Sequence, residues 1–165
     1  MPYTSAEIAR FTPALRADAE EAMVLLNRFA DVSHTPDMFS IEARLMQIAG
    51  TFQRSGWTRE CDAITSAYNA LHDFVSIRCR HARDAESKFS PTNYYPPENP
   101  IRRRYEVRVA HEKRELEGFP TARMAIIAKA GIVLTGTVLD ATLEGLRTRD
   151  RTPTTSTNVS EGAAA

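Results

Sequence analysis

Several things are scarce in this chain. Glycine occurs seven times in 165 residues and never in a run that could cradle a phosphate. No Gly-x-Ser-x-Gly elbow and no paired-acid motif accompanies it, so the common phosphoryl-transfer and hydrolase layouts are not written here. The two cysteines, Cys61 and Cys79, are 18 residues apart on one expected helix. They cannot bridge within it and read as core thiols. The four histidines, His34, His72, His81 and His111, lack the i, i+4 pairing that sets two imidazoles on one helical face for zinc. His111-Glu112-Lys113-Arg114-Glu115 approaches a zinc-helix motif, but Glu115 stands where the second imidazole belongs. Neither a metal nor another cofactor is expected. Residues 1–19 carry Glu7, Arg10, Arg16 and Asp18 and lack a seven-residue apolar run. That excludes a secretory signal or a membrane span there and predicts an intracellular chain with no membrane partner.

Lysine is also rare: of 21 basic residues only Lys88, Lys113 and Lys129 are not arginine. The guanidinium fork matches phosphate and carboxylate oxygens two at a time, where an ammonium acts as a point charge. The total charge is zero, yet residues 78–114 hold ten Lys/Arg against five Asp/Glu. The cations fall into two clusters, Arg78, Arg80, Arg83 and Lys88, then Arg102, Arg103, Arg104, Arg108, Lys113 and Arg114, on either side of a proline-rich stretch. A polyanion site and a solvated helix face are both compatible with that pattern.

The rest is helical in period. Thr4-Ser5-Ala6-Glu7 forms a capping box and opens a short helix. Thr12-Pro13 starts a second, followed by Leu15, Ala19, Ala22, Met23, Leu26 and Phe29 and ending near Asp31. Thr35-Pro36 starts a third, with Met38, Ile41, Leu45, Ile48 and Phe52 as its stripe and Ser55-Gly56 as its stop. Thr58 is expected to cap the next, striped by Cys61, Ile64, Tyr68, Leu71 and Val75 and running on through Arg78–Glu86. Phe89–Pro100, with four prolines, is expected to contain no helix. Asn99-Pro100 opens a helix with Ile101, Tyr105, Val109 and Leu116 on its apolar side. From Thr121 to Leu146 the chain is apolar nearly all round, which predicts the most buried helix. The β-branched run Gly131–Leu139 also suits a strand, but no other segment alternates with period two to partner it. Trp57 reads as a core anchor, whereas Tyr94 and Tyr95 suit either packing or stacking. The expected fold is all-α, a bundle of four to five helices in one domain over residues 1–150, with a Ser/Thr-rich surface tail over 151–165.

An arginine-rich helical module without a catalytic set reads as a binding or assembly protein, not an enzyme, with no small-molecule substrate. Met1-Pro2-Tyr3-Thr4, Ala17-Asp18, Glu42-Ala43-Arg44 followed by Phe52 and Trp57, and Tyr68-Asn69-Ala70 with Asp73 and Val75 resemble the coat proteins of rod-shaped plant RNA viruses of the tobamovirus type. The resemblance covers about the first half. The stretch between Trp57 and Tyr68 is shorter than that family's, and an apolar helix after Phe119-Pro120 has no counterpart. It implies a homo-oligomeric capsid subunit of a virion or host cytoplasm that packages single-stranded RNA. The matching RNA contacts are Arg78, Arg80, Arg83, Arg102, Arg103 and Arg104, with Arg108 completing the expected RNA-binding region, and Asp84, Glu86, Glu98 and Glu106 suit carboxylates that repel between subunits. The alternative is a helical adaptor or phage-type structural subunit whose arginines make salt bridges and touch no nucleic acid.

Overall fold

The computed structural model describes residues 3–151, and the tail expected after Arg151 lies outside them. These residues are helical throughout, without a strand: α1 (Ser5–Ile8), α2 (Pro13–Ala30), α3 (Thr35–Arg54), α4 (Thr58–Glu86), α5 (Pro91–Tyr94), α6 (Pro100–Glu117) and α7 (Phe119–Arg151). Five are long and two are single turns, in keeping with the all-α expectation.

Most helix starts follow local chemistry. Thr4 and Glu7 exchange the two bonds of a capping box, Thr12 accepts from the Leu15 N–H at 3.2 Å, and Asn99 accepts from the Ile101 N–H at 2.9 Å. Thr58 does not cap α4. It is the first helical residue, and Trp57 occupies the cap position without a side-chain bond. The reason lies in how α3 stops. Gly56 turns into the left-handed region at φ 84°, and the N–H groups of Gly56 and Trp57 reach back to the carbonyls of Gln53 and Phe52. That pairing is a Schellman closure, and it carries the Trp57 indole into the core. There its ring meets Tyr3 and Phe11 edge-on, with centroids 4.8 and 5.0 Å away. The proline-rich stretch is not wholly irregular either: Pro91 at the first helical position allows the single turn α5.

α3 packs against α4, α2 packs against α3, α4 and α7, and α7 packs against α4 and α2. Phe29, Phe52, Leu26, Leu45, Ile48, Ile64, Leu71 and Leu134 are fully buried between these four helices. All five stripe residues of α3 are buried. α4, with 29 residues, is roughly 43 Å long at 1.5 Å per residue and outruns the bundle. Its C-terminal turns receive α6 instead.

The last helix departs from expectation. α7 buries only Phe119, Ala130, Leu134 and Thr137, while Met124, Ile132, Leu139, Leu143 and Leu146 face outward. It is therefore a bundle helix on one side and an exposed apolar rod on the other. By length and composition it is also a helix that could cross a membrane, with mean hydropathy 1.6 over its most apolar stretch. Periodicity could not reveal this, because a helix apolar on every side shows no preferred face.

Candidate nucleic-acid interface

The two arginine clusters converge because α4 and α6 run antiparallel, joined through α5. Glu112 of α6 meets Arg80 and His81 of α4, and Arg108, one turn earlier on α6, faces Asp84, one turn later on α4. Glu112 is the center of this contact. Its buried carboxylate lies 2.8 Å from His81 Nε2, 3.3 Å from Arg80 and 3.5 Å from Arg108. A buried carboxylate is tolerable only when positive charge and donors surround it, and two guanidinium groups and the His81 imidazole do so here. Glu112 is also the only buried residue of α6, so the helix docks through charge rather than through an apolar stripe. Of its expected apolar side, Tyr105, Val109 and Leu116 are half-buried and Ile101 is exposed.

The seven arginines separate into two groups. Arg78 donates to the backbone carbonyls of Ala30 at 2.7 Å and Val32 at 3.2 Å, and its guanidinium lies 4.9 Å from the Phe119 ring center. It thereby satisfies carbonyls that the end of α2 leaves without helical partners. Arg80 is held by Glu112, and Arg108 by Glu112 and Asp84 over the Tyr105 ring. Arg102 binds Glu106 at 2.8 Å and the Tyr95 carbonyl at 3.1 Å. Arg83, Arg103 and Arg104 are exposed and make no hydrogen bond or ion pair among the described residues.

Of the four carboxylates, Asp84 has a buried Oδ2 without a hydrogen bond, 3.7 Å from Arg108. Glu86 pairs with His34 at 3.5 Å and Glu106 with Arg102, while Glu98 is exposed.

The loop adds aromatics. Phe89 is 79% exposed and Tyr94 64%, and Tyr94 packs edge-on to Tyr95 with centroids 5.2 Å apart. Arg102 ties the Tyr95 backbone to α6, so these rings sit beside the first turn that carries Arg103 and Arg104. Beneath the loop, His81, Asp84, Ser90, Asn93, Tyr105 and Lys113 line a cleft of about 470 Å³.

Cys79 is buried, and burial pushes its thiol up despite the nearby Arg78 and Arg83. Cys61 is half-buried and likewise raised by desolvation. Both behave as core thiols. Among the described residues no three His, Cys, Asp or Glu side chains are grouped to hold a metal. The apparent zinc-helix segment is instead an exposed His111–Glu115 pair at 3.3 Å.

Sequence reasoning missed two buried acids. Glu60 is fully buried, accepting from the Tyr3 hydroxyl at 2.7 Å and the Thr137 hydroxyl at 2.5 Å, and so ties the N-terminal segment, α4 and α7 together. Both acids lie in register with inward-facing stripes, Glu60 with buried Ile64, Ala67 and Leu71, and Glu112 with half-buried Tyr105, Val109 and Leu116. That register was the available signal. Comparison with known protein families, curated proteins and solved structures yields no match.

Proposed function

We propose that this chain is a self-associating structural subunit that holds single-stranded RNA at the α4–α6 end, as a coat or nucleocapsid-like protein does. The observation that carries this reading is that the α4–α6 end and its connecting loop carry both unspent guanidinium groups, Arg83, Arg103 and Arg104, and exposed rings, Phe89 and Tyr94. Cations that track phosphates and rings on which bases stack are the two parts of a sequence-tolerant single-strand site. Arg78, Arg80, Arg102 and Arg108 are engaged within the chain, so the contact set is narrower than the seven arginines expected from the sequence. That engagement also favors a second reading, a helical adaptor in which the basic surface meets protein and no nucleic acid.

Fluorescence anisotropy of a labelled single-stranded 20-mer RNA between 50 and 200 mM salt tests the proposal. Arg103→Ala with Arg104→Ala is expected to lower the slope of log affinity against log salt by about 1.4, at roughly 0.7 per phosphate contact on a single strand. Tyr94→Ala is expected to weaken binding by about 1–3 kcal/mol. No binding at 50 mM salt, or an unchanged slope in the double variant, sinks the RNA reading and leaves the adaptor.

A further inference from the structure

The outward side of α7 is more than a patch of apolar residues. Ala125, Ala128, Ile132, Thr135, Leu139, Thr142 and Leu146 recur at alternating steps of three and four, and every one is exposed. Such spacing is the seam of a two-helix coiled coil, which needs no companion stripe elsewhere on the chain because a second copy supplies it. No charged residue lies on the seam. Met124 and Leu143 widen it, and Ile132 at its middle is 76% exposed.

We infer that a second copy of this chain covers the seam, with the two α7 helices antiparallel about a two-fold axis near Thr135. Side-chain size sets the direction. The N-terminal half of the seam is small, with Ala125 and Ala128, and the C-terminal half is large, with Leu139, Leu143 and Leu146. Antiparallel pairing places Ala125 against Leu146 and Ala128 against Thr142 and Leu143, so the end layers join a small side chain to a larger one, and it sets Ile132 against Leu139 nearer the middle. Parallel pairing would set Ala against Ala at one end and Leu against Leu at the other, leaving a wedge. Five large apolar side chains on this side, Met124, Ile132, Leu139, Leu143 and Leu146, are 45–76% exposed, and covering them contributes to the ~800 Å² per partner of a stable interface.

A lipid surface fits less well. Insertion of α7 across a bilayer would withdraw Ala130 and Leu134 from the core and break the bond from Thr137 to buried Glu60. The inference rests on the self-association in the proposed function and is independent of RNA.

Size-exclusion chromatography with light scattering on the full chain, from 1 to 100 µM and with absorbance at 260 and 280 nm, provides the test. A particle of twice the 18.4 kDa chain mass, or a multiple of it, is expected. Ile132→Glu with Leu139→Glu should raise the dissociation constant of the dimer at least 100-fold with unchanged helical circular dichroism, because both positions are exposed in the single chain. Val107→Glu, on the exposed side of α6, should leave association intact. Oxidising a mixture of the Ala125→Cys and Leu146→Cys variants should yield the mixed disulfide, whereas Ala125→Cys linking only to itself overturns the antiparallel direction. A wild-type monomer at 100 µM, or a dimer indifferent to the Glu pair, overturns the seam. So does flotation of the wild type on phosphatidylcholine–phosphatidylglycerol vesicles that the Glu pair abolishes. A dimer free of 260 nm excess sinks the RNA reading alone, and a monomer that carries nucleic acid sinks the seam alone.

Discussion

His81 on α4 and Glu112 on α6, 31 residues apart, meet at 2.8 Å, and this contact attaches the basic helix α6 to the bundle. Glu112→Ala would leave Arg80 and His81 without their carboxylate and Arg108 with Asp84 alone. Since the two arginines remain partly exposed, the expected loss is about 2–4 kcal/mol, read as a lower urea midpoint. Glu112→Met, which replaces the charge with apolar volume, is expected to cost less. Amide exchange in α6 should accelerate in the Ala variant before exchange in α3 does.

Arg78 should behave as a structural residue. Its guanidinium satisfies two carbonyls at the end of α2 and stacks on Phe119. Arg78→Ala is expected to lower stability by about 1–3 kcal/mol through unsatisfied backbone groups. Arg78→Lys should restore little of it, because an ammonium has neither the fork nor the flat face. Chemical denaturation measures both, and an RNA affinity equal to wild type at a temperature where the variant is folded would confirm that the effect is on folding.

Alkaline pH should loosen the N-terminal segment. Burial, then the bond to Glu60 and its negative charge, push the Tyr3 phenol up to about 12. The group is raised above its unfolded value near 10, so its contribution is complete below about pH 10 and is lost as pH rises toward 12. Tyr3→Phe should flatten that part of the stability curve, measured by denaturation at pH 9, 10 and 11. Tyr68, raised mainly by burial, remains to give a residual dependence.

Acid should act on the other side. The bond from Arg44 holds the Glu21 carboxyl below its ordinary range, and that from Arg123 does the same for Asp31. Their contributions are present above the usual carboxylate range and disappear as pH falls below it. Both acids are more than a third exposed, so each effect is small. Arg44→Gln should reduce the acid-induced shift in thermal midpoint between pH 5 and 3, because the contribution it removes is present at neutral and alkaline pH and already lost in acid.

Trp57→Ala is expected to cost about 3–5 kcal/mol, since the indole is buried between Tyr3 and Phe11 beneath the turn at Gly56. Equilibrium unfolding measures it, and a cost near zero would contradict the packing.

Much of the fold is legible in the sequence because caps and stripes are local. Thr4, Thr12 and Asn99 start helices with their own side chains, and Met38, Ile41, Leu45, Ile48 and Phe52 define one face by spacing alone. The exception at Thr58 has a local cause too, since the closure of α3 through Gly56 and Trp57 puts Trp57, not the threonine, at the cap position. The candidate site is less legible. Arg78, Arg80 and Arg83 look alike in the sequence, yet one seals a helix end, one pairs with a buried carboxylate and one faces water.

By itself, then, the sequence determined the five long helices, their approximate limits and which residues share a face of most of them. Helix period and capping act over three or four residues, and no distant partner is needed to apply them. Only the tertiary structure decided that Glu112 would be buried among α4 cations, that Arg103 and Arg104 would remain unspent, and that α7 would leave Ile132 and Leu139 uncovered. Each depends on which helix lies opposite, and an α-helix carries no local record of its neighbor when its own faces are charged or apolar on every side.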